Sequence, residues 1–239
     1  MGGTINGIPA LGGVKNMNFK GVLLLRRDGF DFYEDKSGRI LSFPFSNGVV
    51  NSLEIINPGE FKNQIKAFIE TNKFLPADLM IILSADVLFE KDIQAQDPNV
   101  QSQETSEFLD IIPFESISTK LLPGKLGLRV IAVNKNLIDT LSSSFKELGF
   151  LIEGIVPYEV VEGLEGIYSL NNEISKFIIK QFDSLKNASF EFENERKSIP
   201  QTESHTGKSN ETSRLKFYAM LGVFGILLLI LISLIIIRV

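Results

Sequence analysis

The sequence contains no cysteine and no tryptophan, and it has one histidine among its 239 residues. Without cysteine there is no disulfide, no thiolate metal site and no cysteine nucleophile. His205 stands among small polar residues, so neither a Ser-His catalytic pair nor a histidine metal site is predicted. The net charge is −5 and lysine and arginine form no long run, so nucleic acid is not an expected partner.

Charge is also missing from one long stretch, residues 217–237, which consists mostly of Leu, Ile, Val and Phe. At about 1.5 Å per residue, a helix of this length matches the ~30 Å hydrocarbon core of a bilayer. We therefore expect residues 215–237 to form a transmembrane helix in contact with lipid. Residues 189–214 are polar, carry charges of both signs and are expected to be a disordered linker.

Basic residues flank the apolar stretch unequally, because Lys208, Arg214 and Lys216 precede it and only Arg238 follows it. The positive-inside rule then predicts a single-pass membrane protein with a cytoplasmic N-terminal domain and a C-terminal tail anchor. Small residues on one side of the predicted helix favour association with another helix, including that of a second copy of the chain. These helix-packing candidates are Ala219, Gly222, Gly225 and Ser233.

The N-terminal part predicts an antiparallel meander. Residues 1–19 are glycine-rich and expected to be flexible, and the apolar run Lys20–Arg26 predicts a strand. The Asp28-Gly29 pair predicts a tight hairpin turn that demands positive φ. Two alternating stretches complete three strands, and Pro44 places the third strand at a sheet edge.

Four acidic residues, Asp28, Asp31, Glu34 and Asp35, lie close together in this meander. Their spacing matches neither a calcium loop nor a pair of carboxylates in a cleft. We interpret them as a solvated face, with Asp31 on the solvent side of its strand. No catalytic residue, metal or cofactor is predicted.

The middle of the chain alternates helices and strands. Asn57 caps a helix that ends near Asn72. A second helix, with Asn134 or Asn136 as its cap and Gly149 just past its end, lies between two strands. That strand-helix-strand order predicts a βαβ unit with parallel strands. The remaining predictions are strands at 79–83, 86–92, 117–122, 126–133 and 150–156, a loop at 94–103, a short amphipathic segment at 104–112, and helical residues from about 160 to 185 with Asn171-Asn172 as a candidate break.

Three stretches, Asn57–Phe61, Phe108–Phe114 and Gly127–Gly149, resemble PilM of type IV pili and the cytoplasmic domain of GspL of type II secretion. The resemblance covers about residues 20–185. It implies an α/β, mixed-sheet fold: an actin-like (ribonuclease H-like) module over residues 20–188 with an inserted strand-helix-strand-strand subdomain at about 78–157. Two departures qualify it. The second half of the actin-like fold does not follow, and the minimal turn at Arg27–Gly29 replaces a phosphate-binding loop.

The resemblance implies a scaffold or adaptor that binds inner-membrane proteins of a pilus or secretion machine and is not an enzyme. The partner-binding candidates are the face of the first helix and the turn near residue 113: Phe61, Ile65, Phe68, Pro113 and Phe114. One alternative is a membrane-tethered actin-like ATPase that another chain completes. A further alternative is a membrane-anchored domain whose likeness to these families is only topological.

Overall fold

The computed structural model describes residues 19–94, 97–124, 127–162 and 168–190. The strands in this part of the chain are β1 Lys20–Arg26, β2 Gly29–Glu34, β3 Arg39–Pro44, β4 Val50–Asn51, β5 Glu54–Ile55, β6 Asp78–Leu83, β7 Phe89–Ile93, β8 Ile117–Pro123, β9 Leu128–Asn134 and β10 Leu151–Pro157. The helices are α1 Pro58–Asn72, α2 Pro98–Asp110, α3 Lys135–Glu147, α4 Asn172–Lys180 and α5 Phe182–Asn187. Short 3₁₀ turns at Ala85–Val87 and Tyr158–Val160 follow β6 and β10.

The larger sheet has five strands in the order β10-β6-β1-β2-β3. Strands β1, β2 and β3 form the predicted antiparallel meander, with β3 at the sheet edge. Strand β6 pairs in parallel with both β1 and β10, so three neighbouring strands run in the same direction. The sheet is therefore mixed, as the α/β prediction requires.

Both faces of this sheet are covered, which explains why β1 and β6 are continuous apolar runs. Helices α1 and α3 cover one face, where Phe32 packs with residues such as Phe145. Helices α4 and α5 cover the other face, where Tyr33 packs with residues such as Ile178 and Phe182. The first face carries a connected set of phenylalanine rings with centroids 4.7–6.4 Å apart. Its members are Phe30, Phe32, Phe43, Phe45, Phe61, Phe68, Phe74, Phe145 and Phe150.

The smaller sheet has three antiparallel strands in the order β7-β9-β8. Together with α2, this sheet has the strand-helix-strand-strand order of the inserted subdomain. It covers residues 89–134, a narrower range than the 78–157 given in the prediction. Strand β9 packs against α2 on one face and against the core of the larger sheet on the other. Ile131 packs in the core under α1 and α3, and Val130 packs with Phe108 of α2.

The structure corrects the prediction of a loop at 94–103. Helix α2 begins at Pro98, with the Asp97 carboxylate accepting a hydrogen bond from the Asn99 N–H at 2.8 Å. Asn57 and Pro58 start α1 in the same manner. An acceptor side chain followed by proline is a helix start in both places, and the polar composition of the first turns of α2 concealed it.

The predicted parallel βαβ unit is wrong, because β9 and β10 lie in different sheets. Helix α3 instead connects the small sheet to the edge of the large one. Of the predicted helical stretch from about 160 to 185, the part from Asn172 onward is confirmed, as α4 and α5, whereas the described residues before Asn171 are not α-helical. The predicted break at Asn171-Asn172 is confirmed, because Asn171 caps α4 by accepting a hydrogen bond from the Ile174 N–H at 2.8 Å.

Among the described residues, none of the helices combines the length and the apolarity that a bilayer crossing requires. The predicted transmembrane segment 215–237, its helix-packing candidates, nearly all of the predicted linker and residues 1–18 lie outside the described residues. The first two residues assigned to the linker are described. Ser189 and Phe190 lie against the edge of β10, where the Phe190 N–H donates to the Ile155 carbonyl at 2.8 Å.

Candidate functional site

The carboxyl ends of β1, β6 and β10 lie at the same edge of the larger sheet, because the three strands are parallel and in register at Leu25, Leu83 and Pro157. Open α/β sheets bind ligands outside the carboxyl ends of their strands. The residues that follow these ends are the β1–β2 turn, the 3₁₀ turn after β6 and the 3₁₀ turn after β10. This edge is the first place to look for a site.

The β1–β2 turn is as short as predicted, because Arg26 pairs with Gly29 and leaves only Arg27 and Asp28 in the loop. The positive φ predicted at this glycine is confirmed, with a value of +157° at Gly29. The structure adds a second requirement, because Gly29 belongs to β2 and a Cβ there would overlap the carbonyl oxygen of Phe43 and lie 3.0 Å from its carbonyl carbon. The positive φ and the close approach of β3 together require glycine at this position.

The chain's own carboxylate occupies this turn. The Arg27 N–H donates to Oδ2 of Asp86 at 3.1 Å. The Ser84 hydroxyl lies 2.6 Å from the Leu25 carbonyl oxygen and also contacts Oδ1 of Asp86. A backbone N–H at the end of a strand can hold an anionic ligand. Here Asp86 already takes that position.

A second group of charges connects the small sheet with the turn after β10. The Arg129 guanidinium on β9 binds Asp92 on β7 through two hydrogen bonds of 2.7 Å and also binds Glu159. The Glu90 carboxylate lies 3.8 Å from the same guanidinium. The hydrogen bonds that Arg129 donates to Asp92 and Glu159 raise the pKa of Arg129. Three carboxylates from one strand, β7, and one turn therefore surround one cation.

Glu90 is the most perturbed carboxyl group in this part of the molecule. Burial, the charge of Glu159 and a hydrogen bond with Glu159 raise the pKa of Glu90 to about 7, although Arg129 acts in the opposite direction. Within the described residues, Oε1 of Glu90 and Oε2 of Glu159 are buried and accept no hydrogen bond. Burial and then the charge of Glu90 also raise the pKa of Tyr158. The arrangement holds a proton near neutral pH.

A cleft of about 370 Å³ opens beside this charge group. Leu122, Pro123 and Val160 supply its apolar wall, and Arg129 and Glu159 supply its polar side. No sequence pattern singled out these residues, because positions 90 and 129 come together through the pairing of β7 with β9 and position 159 joins them from the turn after β10. The one available signal was the pair Glu90 and Asp92, which two-residue spacing puts on one face of a strand.

The partner-binding candidates divide into two groups. Phe61 and Ile65 are fully buried, and Phe68 is half-buried with its ring 5.3 Å from that of Phe43. That face of α1 therefore packs on the sheet and offers no surface to a partner. The 113–114 turn is different: Pro113 is exposed, and half-buried Phe114 packs against Phe89 at 5.5 Å.

The interpretation of the acidic group as a solvated face is wrong for two of its four members. Asp31 is 2% exposed and accepts hydrogen bonds from the Ser42 hydroxyl at 2.7 Å and the Leu170 N–H at 3.0 Å. Arg26 lies 3.3 Å from the same carboxylate. Strand β2 is covered on both faces, so Asp31 points into the protein and fastens the segment before α4 to the sheet.

Glu34 is 3% exposed and plays a similar part at the other end of β2. It accepts hydrogen bonds from the Ser37 hydroxyl at 2.6 Å and the Leu75 N–H at 3.0 Å, and Arg39 lies 3.5 Å away. Burial acts to raise the pKa of Glu34, but these hydrogen bonds and the Arg39 charge outweigh it, and the pKa is lowered. Glu34 therefore joins the β2–β3 turn to the connection between α1 and β6.

In the part of the chain that the structure describes, no group of three or more His, Cys, Asp or Glu residues is placed to hold a metal ion. Asp92, Glu90 and Glu159 surround Arg129 instead.

No protein-family model matches the chain, and a search of curated proteins finds no match. Solved structures with a similar fold include the PilM-PilN type IV pilus biogenesis complex, at 14% identity and a TM-score of 0.39 over 58% of this chain and 46% of that chain. The cytoplasmic domain of EpsL, an inner membrane component of the type II secretion system of Vibrio cholerae, aligns at 13% identity and a TM-score of 0.36 over 62% of this chain and 60% of that one. These are the kinds of protein that the sequence resembles.

A Bacteroides thetaiotaomicron protein with an actin-like ATPase fold and unknown function aligns at 13% identity and a TM-score of 0.32, over 60% of this chain and 55% of that chain. This chain thus spans about half the length of the solved structures that it matches.

Proposed function

We propose that the chain is a non-enzymatic adaptor, an actin-like module held on the cytoplasmic side of a membrane by residues 215–237. In this proposal it binds inner-membrane proteins of a type IV pilus or type II secretion assembly. The class of machinery comes from the three short stretches of sequence that resemble PilM and GspL. The membrane attachment comes from the uncharged residues 217–237.

One observation carries the non-enzymatic part of the proposal. The backbone N–H of the β1–β2 turn, where a phosphate-binding loop would stand in an actin-like ATPase, donates to Asp86 of the same chain. This turn has only two loop residues, Arg27 and Asp28, which is shorter than a phosphate-binding loop. These features support an adaptor better than a nucleotide-binding module.

The turn after α2 supports the protein-binding part. Ile111 is 77% exposed, and Pro113 beside it is exposed as well. Aromatic and aliphatic groups of this kind can anchor a protein interface when they are exposed together. Val100 in the first turn of the same helix is 42% exposed and supplies a matched control position.

The test is cross-linking in intact cells, followed by purification of the full-length chain from detergent-solubilised membranes and mass spectrometry. We expect inner-membrane pilus or secretion proteins to be cross-linked to the wild type and to Val100→Ser, with several-fold less recovered for Ile111→Ser. Equal recovery with Ile111→Ser would remove this turn from the interface. Absence of any such protein from the wild-type sample would overturn the adaptor proposal.

A further inference from the structure

Glu90 and Glu159 belong to two separate parts of the fold, and both lie against Nη1 of Arg129. Glu90 lies on β7 in the small sheet, and Glu159 lies in the 3₁₀ turn that follows β10 of the large sheet. Two carboxylates repel each other when both are charged, and they attract when one proton is shared between them. Their pairing is therefore more favourable when the pair holds a proton, and it adds to the contact that Arg129 makes with Glu159.

Within the described residues, Arg129 is the cation that contacts both carboxylates. Its guanidinium already makes a two-pronged contact with Asp92 and a further contact with Glu159. Glu90 is 3.8 Å from it, which is beyond hydrogen-bonding distance. Tyr158 is a further described neighbour, and burial raises its pKa, so it carries no charge near neutral pH.

Two oxygen atoms complete the geometry. Oε1 of Glu90 and Oε2 of Glu159 are both buried and, within the described residues, have no hydrogen-bond partner. Burying two charged carboxylates with unpaired oxygens is costly, whereas a proton shared by the pair removes one of the two charges.

We propose that Glu90 and Glu159 form a proton-operated clasp, which closes the joint between the small sheet and the turn after β10 when the pair holds a proton and loosens it when the proton leaves. The cleft lined by Leu122, Pro123 and Val160 lies at this joint, so loosening the clasp widens the cleft. The clasp is independent of the adaptor proposal, because it depends only on contacts within the chain.

The direction of the pH effect follows from linkage. The closed joint raises the pKa of Glu90 from 4.5 to about 7, and a hydrated open joint restores the lower value. Between these two values the open state has released the proton and the closed state still holds it, so opening becomes more favourable as the pH rises. Above about pH 7 both states are deprotonated and the effect levels off.

The experiment is hydrogen exchange of the full-length chain in detergent, measured by mass spectrometry between pH 5 and 8, for the backbone of residues 155–162. The reference is Glu90→Gln, whose amide can donate to Glu159 at every pH. Dividing the exchange rate of the wild type by that of the variant at each pH cancels the intrinsic pH dependence of exchange. We expect the wild-type rate, relative to this variant, to rise about tenfold per pH unit near pH 6 and to become constant above about pH 7.5.

Two controls separate the clasp from general effects. Glu153→Gln, on β10 but paired with Lys186, should follow the wild type. Amides of β6 in the same samples report global unfolding, and their ratio of wild-type to variant exchange rates should not change in this way with pH. Glu159→Gln should also flatten the profile, which keeps the test decisive if Glu90→Gln does not fold. A wild-type profile parallel to those of both clasp variants would overturn the proposal.

Discussion

The buried carboxylate of Asp31 gives the sharpest prediction about stability. We compare Asp31→Ala with the control Asp28→Asn. The side chain of Asp28 is 80% exposed. Asp31 accepts hydrogen bonds from Ser42 and from the Leu170 N–H, and it faces Arg26. The alanine variant removes all three contacts without enlarging any side chain.

The magnitude follows from the state in which each partner is left. Leu170 is 7% exposed, and an unpaired buried N–H costs about 1–3 kcal/mol. The Ser42 hydroxyl belongs to an exposed residue and can turn to water, so its loss adds about 1 kcal/mol. The Arg26 side chain is 23% exposed and also lies 3.7 Å from Asp28, so we discount its contribution to about 1 kcal/mol. The sum is about 3–5 kcal/mol.

The assay is urea unfolding of the full-length chain in detergent, followed by far-ultraviolet circular dichroism because the chain has no tryptophan. Asp31→Ala should lower the free energy of unfolding by about 3–5 kcal/mol, and Asp28→Asn by less than about 0.5 kcal/mol. Asp31→Asn keeps one acceptor oxygen and should fall between them. If the alanine variant stays within about 0.5 kcal/mol of the Asp28→Asn control, the bonds to Asp31 do not stabilise the fold as described.

Three further predictions use other parts of the chain. Gly29→Ala should cost more than about 2 kcal/mol in the same urea assay, because its Cβ overlaps the Phe43 carbonyl; a normal unfolding midpoint would contradict the close approach of β3. The folded-state pKa of Glu34 lies below its usual value of 4.5, so its contribution to stability is present above about pH 4.5 and is lost as the pH falls through the folded value. Glu34→Gln should therefore lose less stability than the wild type when the pH is lowered. An unchanged dependence of the unfolding free energy on pH would count against this role of Glu34. Replacing Gly222 and Gly225 with Leu should weaken helix association in a membrane two-hybrid assay, and an unchanged signal would point away from packing through these residues.

Much of the fold could be predicted because local signals agreed with the tertiary structure. Asn57 with Pro58 marks the start of α1, and Gly149 marks the end of α3. Of the two candidate caps of α3, Asn134 and Asn136, the structure uses Asn134. The apolar run 79–83 indicated a strand covered on both faces, and β6 is fully covered there. In these places the identity of a residue fixes a backbone conformation without help from distant residues.

The errors arise where the outcome depends on distant residues. Asp31 looked solvent-facing because β2 alternates, but α4 and the segment before it cover that face. The parallel βαβ unit failed because β9 pairs with β7, where Arg129 lies opposite Asp92. The charge group around Arg129 depends on the same pairing. Neither sheet membership nor burial of the second face is encoded in a short window of sequence.

The chain's own side chains occupy the carboxyl ends of the parallel strands, where an actin-like ATPase would bind nucleotide. The most direct test is a calorimetric titration of the full-length chain with Mg-ATP, with Asp28→Ala as the comparison. Because Asp86 already accepts the hydrogen bond of the Arg27 N–H, we expect no saturable heat in the micromolar range for either protein. A dissociation constant in the low micromolar range for the wild type, lost in Asp28→Ala, would contradict the adaptor proposal and favour the tethered ATPase.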